Sequence, residues 1–357
     1  AIKGVGESAI ESIIEARKSG GRFKDIFEFC RRIDQRKVNR RVLESLLRAG
    51  ALDELGANRA SLMAQLPLAL KMAEQHHASL AAGQEDLFGI AAPQPQAAID
   101  GQMMPDDSEE WEDEIRLQGE KETLGLYLTG HPIDRYVPEM SGLGVTRIGN
   151  LSLDGGVGGD GGGYQKRSKQ RVMVAGLALS VSHRQTQRGR MGTVVLDDRS
   201  GRIEITLFSD AYEAFKDLLV SDRILLVAGN LNYDEYRGGL SIRVDQVMEF
   251  QQARELNATA LRLTWNHRLL SQRQLTAKDF AEELSSVLTP YQGGGCDLQI
   301  CYQGDTAAAA LRCDESWRVH PADELLRQLS RLLNMESVEV IYSRGRVMER
   351  AEAVTPA

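Results

Sequence analysis

The 357-residue chain is predicted to be multidomain: an all-α domain, a five-stranded β-barrel and a small α+β domain, in that order. Three observations carry this. Apolar residues recur at three- and four-residue spacing over roughly the first 80 positions, the period of a helix face. From about residue 170 the period falls to two and β-branched residues dominate, in five strand-sized segments separated by turns. After about residue 257, short strand and helix patterns alternate.

In the first domain, placed at 1–82, Ile10, Ile13 and Ile14 mark one apolar face and Val42, Leu43, Leu46 and Leu47 another. Gly20-Gly21 and Gly50 punctuate between helices. Residues 83–110 carry prolines and no periodicity, and are predicted to be a linker. The span 111–168 connects: a helix from about Trp111 to Tyr127 stops before His131-Pro132, and DGGVGGDGGG, Asp154 to Gly163, is flexible by composition.

The barrel domain is placed at 169–252, with strands RVMVAGLALSV, TVVLDD, RIEITLF, RILLVAGNL and LSIRVDQVMEF. A helical piece, DAYEAFKDLL, lies between the third and fourth strands, which is the order of the OB-fold. In the last domain, 257–357, LRLTW, DLQICYQ and WRVH are predicted strands. DFAEELSSVL and DELLRQLSRLLN are predicted amphipathic helices, and the tail beyond Val340 is polar and unpatterned.

The formal net charge of −8 argues against a uniformly nucleic-acid-binding surface, but charge is distributed in blocks. Residues 17–48 hold eleven Lys/Arg against four Asp/Glu, and 164–190 hold seven against none. Between them, 106–122 hold nine acids against two bases. Two basic islands flanking an acidic one permit local contact with a polyanion. No run reaches the roughly 18 apolar residues of a membrane-spanning helix. Four cysteines, Cys30, Cys296, Cys301 and Cys313, are too few and irregular for a disulfide framework and suggest a reducing cytoplasm. Because AIKGVGE starts in mid-motif, the chain is expected to be a piece of a longer protein.

KGVGESAIESIIEAR has the form of the second half of a helix-hairpin-helix motif. Gly4 and Gly6 permit a tight turn, and the helix that follows offers unpaired N–H groups and a positive dipole end. A duplex phosphate can dock on Lys3, Gly4, Val5 and Gly6 in any sequence context; an ordinary glycine-led helix start is the alternative. RRVLESLLRAGALDELGANRASLM forms a second such unit, with Asn58 as N-cap. In the barrel, Arg184, Arg188 and Arg190 fall in the loop after the first strand and Arg202 begins the third. Phe208 ends that strand, and Tyr233 and Tyr236 lie in the turn before the fifth. Cations tracking phosphates and aromatics stacking on bases would bind single strands; the alternative is a core Phe208 and a solvated arginine rim.

Other signals point nowhere in particular. GGVGGD is one copy of a calcium-binding repeat that works only in tandem. Cys296, Cys301, Cys313 and His320 lack any C-x-x-C pair. His183 has no nucleophile near it, and no phosphate loop or nucleophile elbow occurs. QEDLFG, Gln84 to Gly89, sets two large apolar side chains on the linker. It fits a helix end folding back on its own domain. It equally fits a short linear motif whose apolar pair fills a partner's pocket.

The segments AIKGVGESAIESIIEAR, VNRRVLESLLRAGALDELG, QEDLFG, GEKETLGLYLTGHPI and LDDRSGRIEITLFSDAYE, in this order, resemble the C-terminal portion of the alpha subunit of bacterial replicative DNA polymerase III. ETLGLYLTGHPI, Glu122 to Ile133, is the most specific of them. The resemblance implies that Gly4 to Gly6 hold duplex DNA behind the polymerase site. It makes Gln84, Asp86, Leu87 and Phe88 a sliding-clamp-binding motif, with Gln84 in polar contacts and Leu87 and Phe88 in the clamp's pocket. It implies that the barrel sits near single-stranded template and that the last domain binds the tau subunit of the clamp loader. The family's catalytic aspartates and their Mg2+ would lie upstream of Ala1, so this chain is not expected to polymerise alone. Asp197-Asp198 followed by Arg199-Ser200-Gly201 has the form of a strand-to-strand turn. A free-standing nucleic-acid-binding adaptor is the competing expectation, and an enzyme with its own site here a third.

Overall fold

Three polar residues set helix starts in the first part of the chain. The side chains of Asp25, Asn39 and Asn58 accept hydrogen bonds from the N–H groups of Glu28 (2.7 Å), Val42 (3.1 Å) and Ser61 (2.7 Å), each satisfying a helix-start donor. The helices are α1 (Glu7–Gly20), α2 (Ile26–Arg32), α3 (Arg40–Arg48), α4 (Arg59–Ala81) and α5 (Asp113–Leu124). The structure is a computed structural model that describes residues 1–81, 109–153, 170–187, 189–234, 238–266, 273, 276–304, 308–334 and 337–343. It divides into two units, Ala1–Pro132 and Ile133–Ala357. QEDLFG and the Gly-rich stretch lie outside the described residues.

Val42, Leu43, Leu46 and Leu47 enter the first unit's core beside Phe29, Leu62 and Leu66, as their spacing predicts. The face of α1 differs from expectation. Its buried residues are Ala9, Ser12 and Ala16, while Ile10 is 37% exposed and Ile13 and Ile14 are half-buried. Small residues let α1 lie close to its neighbours, and the bulkier isoleucines flank the contact rather than fill it. The predicted helix from 111 ends at Leu124, because Gly125 takes the left-handed conformation (φ 78°).

Arg59 organises this unit. It is 3% exposed; its guanidinium grips both carboxylate oxygens of Asp53 (2.8 and 2.9 Å) and one of Glu120 (3.0 Å). Glu120, fully buried, also accepts from the N–H groups of Leu128 (2.6 Å) and Thr129 (3.0 Å) and from the Thr129 hydroxyl. Burial alone would raise its pKa, but these bonds and Arg59 outweigh burial and lower it. Gly50, at φ +75°, is required: a Cβ there would stand 2.2 Å from the Arg59 guanidinium.

In the second unit a short helix, α6 (Val137–Met140), precedes the barrel. β1 (Gln170–Thr186), β2 (Gly189–Asp197), β3 (Arg202–Phe208), β4 (Ile224–Asp234) and β5 (Gly239–Glu249) close in the order β1-β2-β3-β5-β4, with α7 (Ser209–Phe215) between β3 and β4. All contacts are antiparallel except the parallel β3–β5 pair that closes the barrel. Val174, Val194, Ile205, Val227 and Ile242 fill the interior. Asp198 caps the β2–β3 turn, accepting from Ser200 and Gly201, as the DDRSG pattern predicts.

After α8 (Phe250–Asn257), a four-stranded sheet of order β8-β7-β6-β9 comprises β6 (Ala258–Trp265), β7 (Gln292–Gln303), β8 (Ala308–Arg312) and β9 (Val338–Tyr342). Helices α9 (Ala277–Leu288) and α10 (Asp323–Leu333) bury their leucines in the same core. WRVH is not a strand: Val319 makes only single bridges to Gln292 and Cys296. β8 and β9 are not among the predicted strands: AAALR has helix propensity and VEVIY runs into the polar tail, and pairing with β7 and β6 decides both.

The C-terminal core does not stop at the sheet. It includes Met173, Ala175, Leu226 and Met248 on the outer wall of the barrel, and Ile133, Tyr136, Met140 and Leu143 before it. Arg254, 1% exposed, lies within this shared core. Its guanidinium takes both oxygens of Glu139 (2.7 and 2.8 Å) and pairs with Asp323. Tyr136 donates to Asp323 (2.9 Å) and Tyr342 to Glu139. Burial would raise the Asp323 pKa, but Arg254 lies beside it and the net direction is down.

Two outcomes are expected. Arg254→Met removes the shared partner of two partly buried carboxylates, Glu139 and Asp323, and destabilises the second unit by up to about 3–5 kcal/mol in urea unfolding. Because Asp323 has a lowered native pKa, its contribution is present above the unfolded value near 3.8 and lost as pH falls through the folded one. Wild type therefore weakens below about pH 4. In Arg254→Met, Asp323 keeps Arg135 (3.6 Å) and the Tyr136 hydroxyl but not Arg254, so the loss on the same descent is smaller; equal slopes for the two proteins would refute the pairing account.

Candidate nucleic-acid interface

Two surfaces have the chemistry to meet nucleic acid, one in each unit. In the first, Gly4 takes φ +86° and the Val5 N–H donates to the Ile2 carbonyl (3.2 Å), making the tight turn. Gly6 caps α1 with no side-chain acceptor, and nothing lies within 4 Å of a Cβ placed there. Gly6 thus puts no side chain over the start of α1, whose first turn carries Glu7, and the exposed Lys3 lies three residues before it. The Lys3 N–H itself is used by the Thr123 carbonyl (2.8 Å).

The second helical unit is built differently. At the start of α4 the Glu110 carboxylate accepts from the N–H groups of Arg59 (3.0 Å) and Ala60 (3.1 Å), and Asn58 accepts from Ser61. Burial would raise the Glu110 pKa; the backbone N–H groups of Arg59, Trp111 and Ala60 outweigh it and lower it. An internal carboxylate already occupies the place that an incoming phosphate would take. Sequence reading treats the two units alike, because Glu110 is 52 residues from Asn58 and nothing local announces it.

On the barrel the register decides which residues converge. Arg184 lies opposite Met191, Met191 opposite Phe208, and the Arg243 guanidinium stands 5.2 Å from the centre of the Phe208 ring. Ser182, Thr193 and Thr206 form the adjoining row. Phe208 is 45% exposed, so the core alternative fails. An exposed ring backed by a guanidinium, between hydroxyls and a second arginine, can stack on a base and pair with its phosphate.

Several predicted residues do not join this row. Arg184 and Arg190 belong to paired strands rather than a loop, and Arg190 opposes Gln185 and so projects from the opposite side of the ribbon. Arg202 is 2.7 Å from Asp197 and six residues from Phe208, about 20 Å along the strand. Tyr233 lies within β4, not in a turn, on the side of the interior residues Leu231 and Ile242. Arg188, Tyr236, Gln84, Asp86, Leu87 and Phe88 lie outside the described residues. Sequence reading misses Met191 and Arg243, for only the β2–β3 and β3–β5 pairings bring them to Phe208.

The helix-hairpin-helix motif family matches residues 1–62, and the OB-fold nucleic acid binding domain family matches residues 172–250. The family described as DNA polymerase III subunit alpha, C-terminal domain, matches residues 283–333. Among whole proteins, the DNA polymerase III subunit alpha of Vibrio cholerae is 40% identical over 344 residues, 96% of this chain and 28% of that one. Its counterpart in Escherichia coli K12 is 41% identical over the same shares. That of Pseudomonas aeruginosa is 37% identical, over 96% of this chain and 29% of its own length. The chain spans a little over a quarter of the length of the curated relatives it matches. The small single-stranded DNA-binding protein of Streptomyces coelicolor is 13% identical, covers 23% of this chain and 93% of its own, and has a TM-score of 0.21, too slight a likeness to add to the barrel's own register.

Phe208→Ala is expected to lower affinity for a labelled single-stranded oligonucleotide by about 1–3 kcal/mol, the value of one stacked base. Arg202→Ala and Tyr233→Ala should change it little. Fluorescence anisotropy on the three variants decides, and an indifferent Phe208→Ala would discard the platform.

Proposed function

This chain belongs to the DNA polymerase III alpha-subunit family, and from that premise we propose that it tethers and organises a replicative polymerase on DNA rather than performing its chemistry. The observation that carries the reading is homology over 96% of the chain to DNA polymerase III alpha subunits, combined with two nucleic-acid modules in one sequence. Residues 1–82 hold duplex DNA through Lys3, Gly4, Val5 and Gly6. Residues 169–252 hold or pass single-stranded template over Phe208 and Arg184. Residues 257–357 engage the tau subunit of the clamp loader, and the match of 283–333 to the subunit's C-terminal domain family supports placing a family-specific contact there.

Gln84, Asp86, Leu87 and Phe88 bind the sliding clamp: Gln84 makes polar contacts and Leu87 and Phe88 enter an apolar pocket. Several modest contacts on one chain raise each other's effective concentration, which is the physical basis of processivity. The catalytic aspartates and their Mg2+ belong to another part of the polymerase, and the setting is the bacterial cytoplasm around the nucleoid. No helix among the described residues is long and apolar enough to cross a membrane.

Replacing Leu87 and Phe88 together by Ala should abolish binding to an immobilised sliding clamp while leaving duplex affinity unchanged. Surface plasmon resonance with both ligands checks this. Clamp affinity that survives the double change would sink the assignment of the motif.

A further inference from the structure

The duplex-binding reading of the first hairpin leaves α3 unused, yet α3 lies directly beside it. A Cβ placed at Gly4 would stand 3.3 Å from the Ser45 hydroxyl, so the turn rests against the middle of that helix. At about 100° per residue, Arg41, Ser45 and Arg48 fall within roughly 60° of one another, a single stripe along α3. Arg41 lies about 6 Å before Ser45 along the axis and Arg48 about 4.5 Å after it. The three residues thus span about 10 Å along the axis, within reach of neighbouring phosphates set about 3.4 Å apart along the axis of one strand.

The two arginines differ in what holds them. Arg41 is exposed, and among the described residues no carboxylate pairs with it. Its neighbour Arg40, off the stripe, is tied to Glu44 at 2.8 Å. Arg48 is 3.3 Å from Glu122, with both side chains about half exposed. Such a pair is held weakly and yields to a better anion.

Resting on the hairpin's assignment to duplex DNA, we propose that Arg41 and Arg48 complete a composite site with Lys3–Gly6 for consecutive phosphates of one duplex strand. Glu122 occupies Arg48 in place of a phosphate until DNA arrives. The hairpin takes the central phosphate on backbone N–H groups, and the two guanidiniums take its neighbours.

The test uses the whole 357-residue chain and a labelled blunt duplex, with affinity measured across a salt series. Arg41→Ala should make the plot of log affinity against log salt shallower by about one, the signature of a lost phosphate contact. Arg17→Ala removes the same charge about 16 Å from Gly6 along α1 and should alter the slope far less. Glu122→Gln frees Arg48 and should tighten binding. The proposal is overturned if Arg41→Ala matches wild type, if Arg17→Ala weakens binding as much, or if Glu122→Gln fails to tighten it. Lys3→Ala separates the two levels. Weakening there with an indifferent Arg41→Ala keeps the hairpin and discards the composite site, whereas a wild-type chain without duplex affinity discards both.

Discussion

A buried guanidinium cannot shed its proton to escape desolvation, so it must be met by carboxylates wherever the fold encloses it. Arg254 imposes that condition on the second unit. Enclosing it requires Glu139 from the segment before the barrel and Asp323 at the start of α10 to be in place together, 115 residues upstream and 69 downstream of it. Tyr136 then donates to the second Asp323 oxygen, and Tyr342 to the Glu139 oxygen that also accepts from Arg254 Nε. The network ties α8, α10 and β9 to the 133–145 segment, and the apolar core around it reaches the barrel wall. Arg59 plays the equivalent part in the first unit, joining the Gly50 turn, α4 and the stretch that leads to Thr129.

These constraints decide which surfaces remain for partners. The shared core covers the barrel wall at Met173, Ala175, Leu226 and Met248, leaving Arg184, Met191, Phe208 and Arg243 on a wall turned elsewhere. An exposed aromatic beside a guanidinium survives there because nothing in the second unit needs it for packing. In the first unit Glu110 closes one helix start and leaves the other open, so two similar sequence units have different chemical prospects.

The fold classes and most elements were legible from local physics. Helical spacing at Val42 to Leu47, Asn58 before α4, period-two strands and the turn at Asp198 are decided within a few residues, where propensity, capping and alternation act. Local reading failed where a distant partner decides. Ala308–Arg312 became a strand because β7 offered an edge, and WRVH did not because only Val319 found a bridge. Ile10, Ile13 and Ile14 lost the centre of the α1 contact to Ala9, Ser12 and Ala16, since close approach favours small side chains.

For the site, sequence by itself determined the kinds of residue present: a glycine turn opening a helix, a basic block, and an aromatic ending a barrel strand. It could not determine convergence. Arg184 and Arg190 look equivalent in sequence, but alternation sends them to opposite sides of a ribbon, and Arg202 sits at the far end of β3 from Phe208, paired with Asp197. Arg243 has no local mark of function and is placed over Phe208 by the parallel closure of β3 on β5. Residue type and spacing fix what chemistry a segment can offer. Strand register and buried charge pairing, both set by partners far along the chain, decide which of those offers meet at one place.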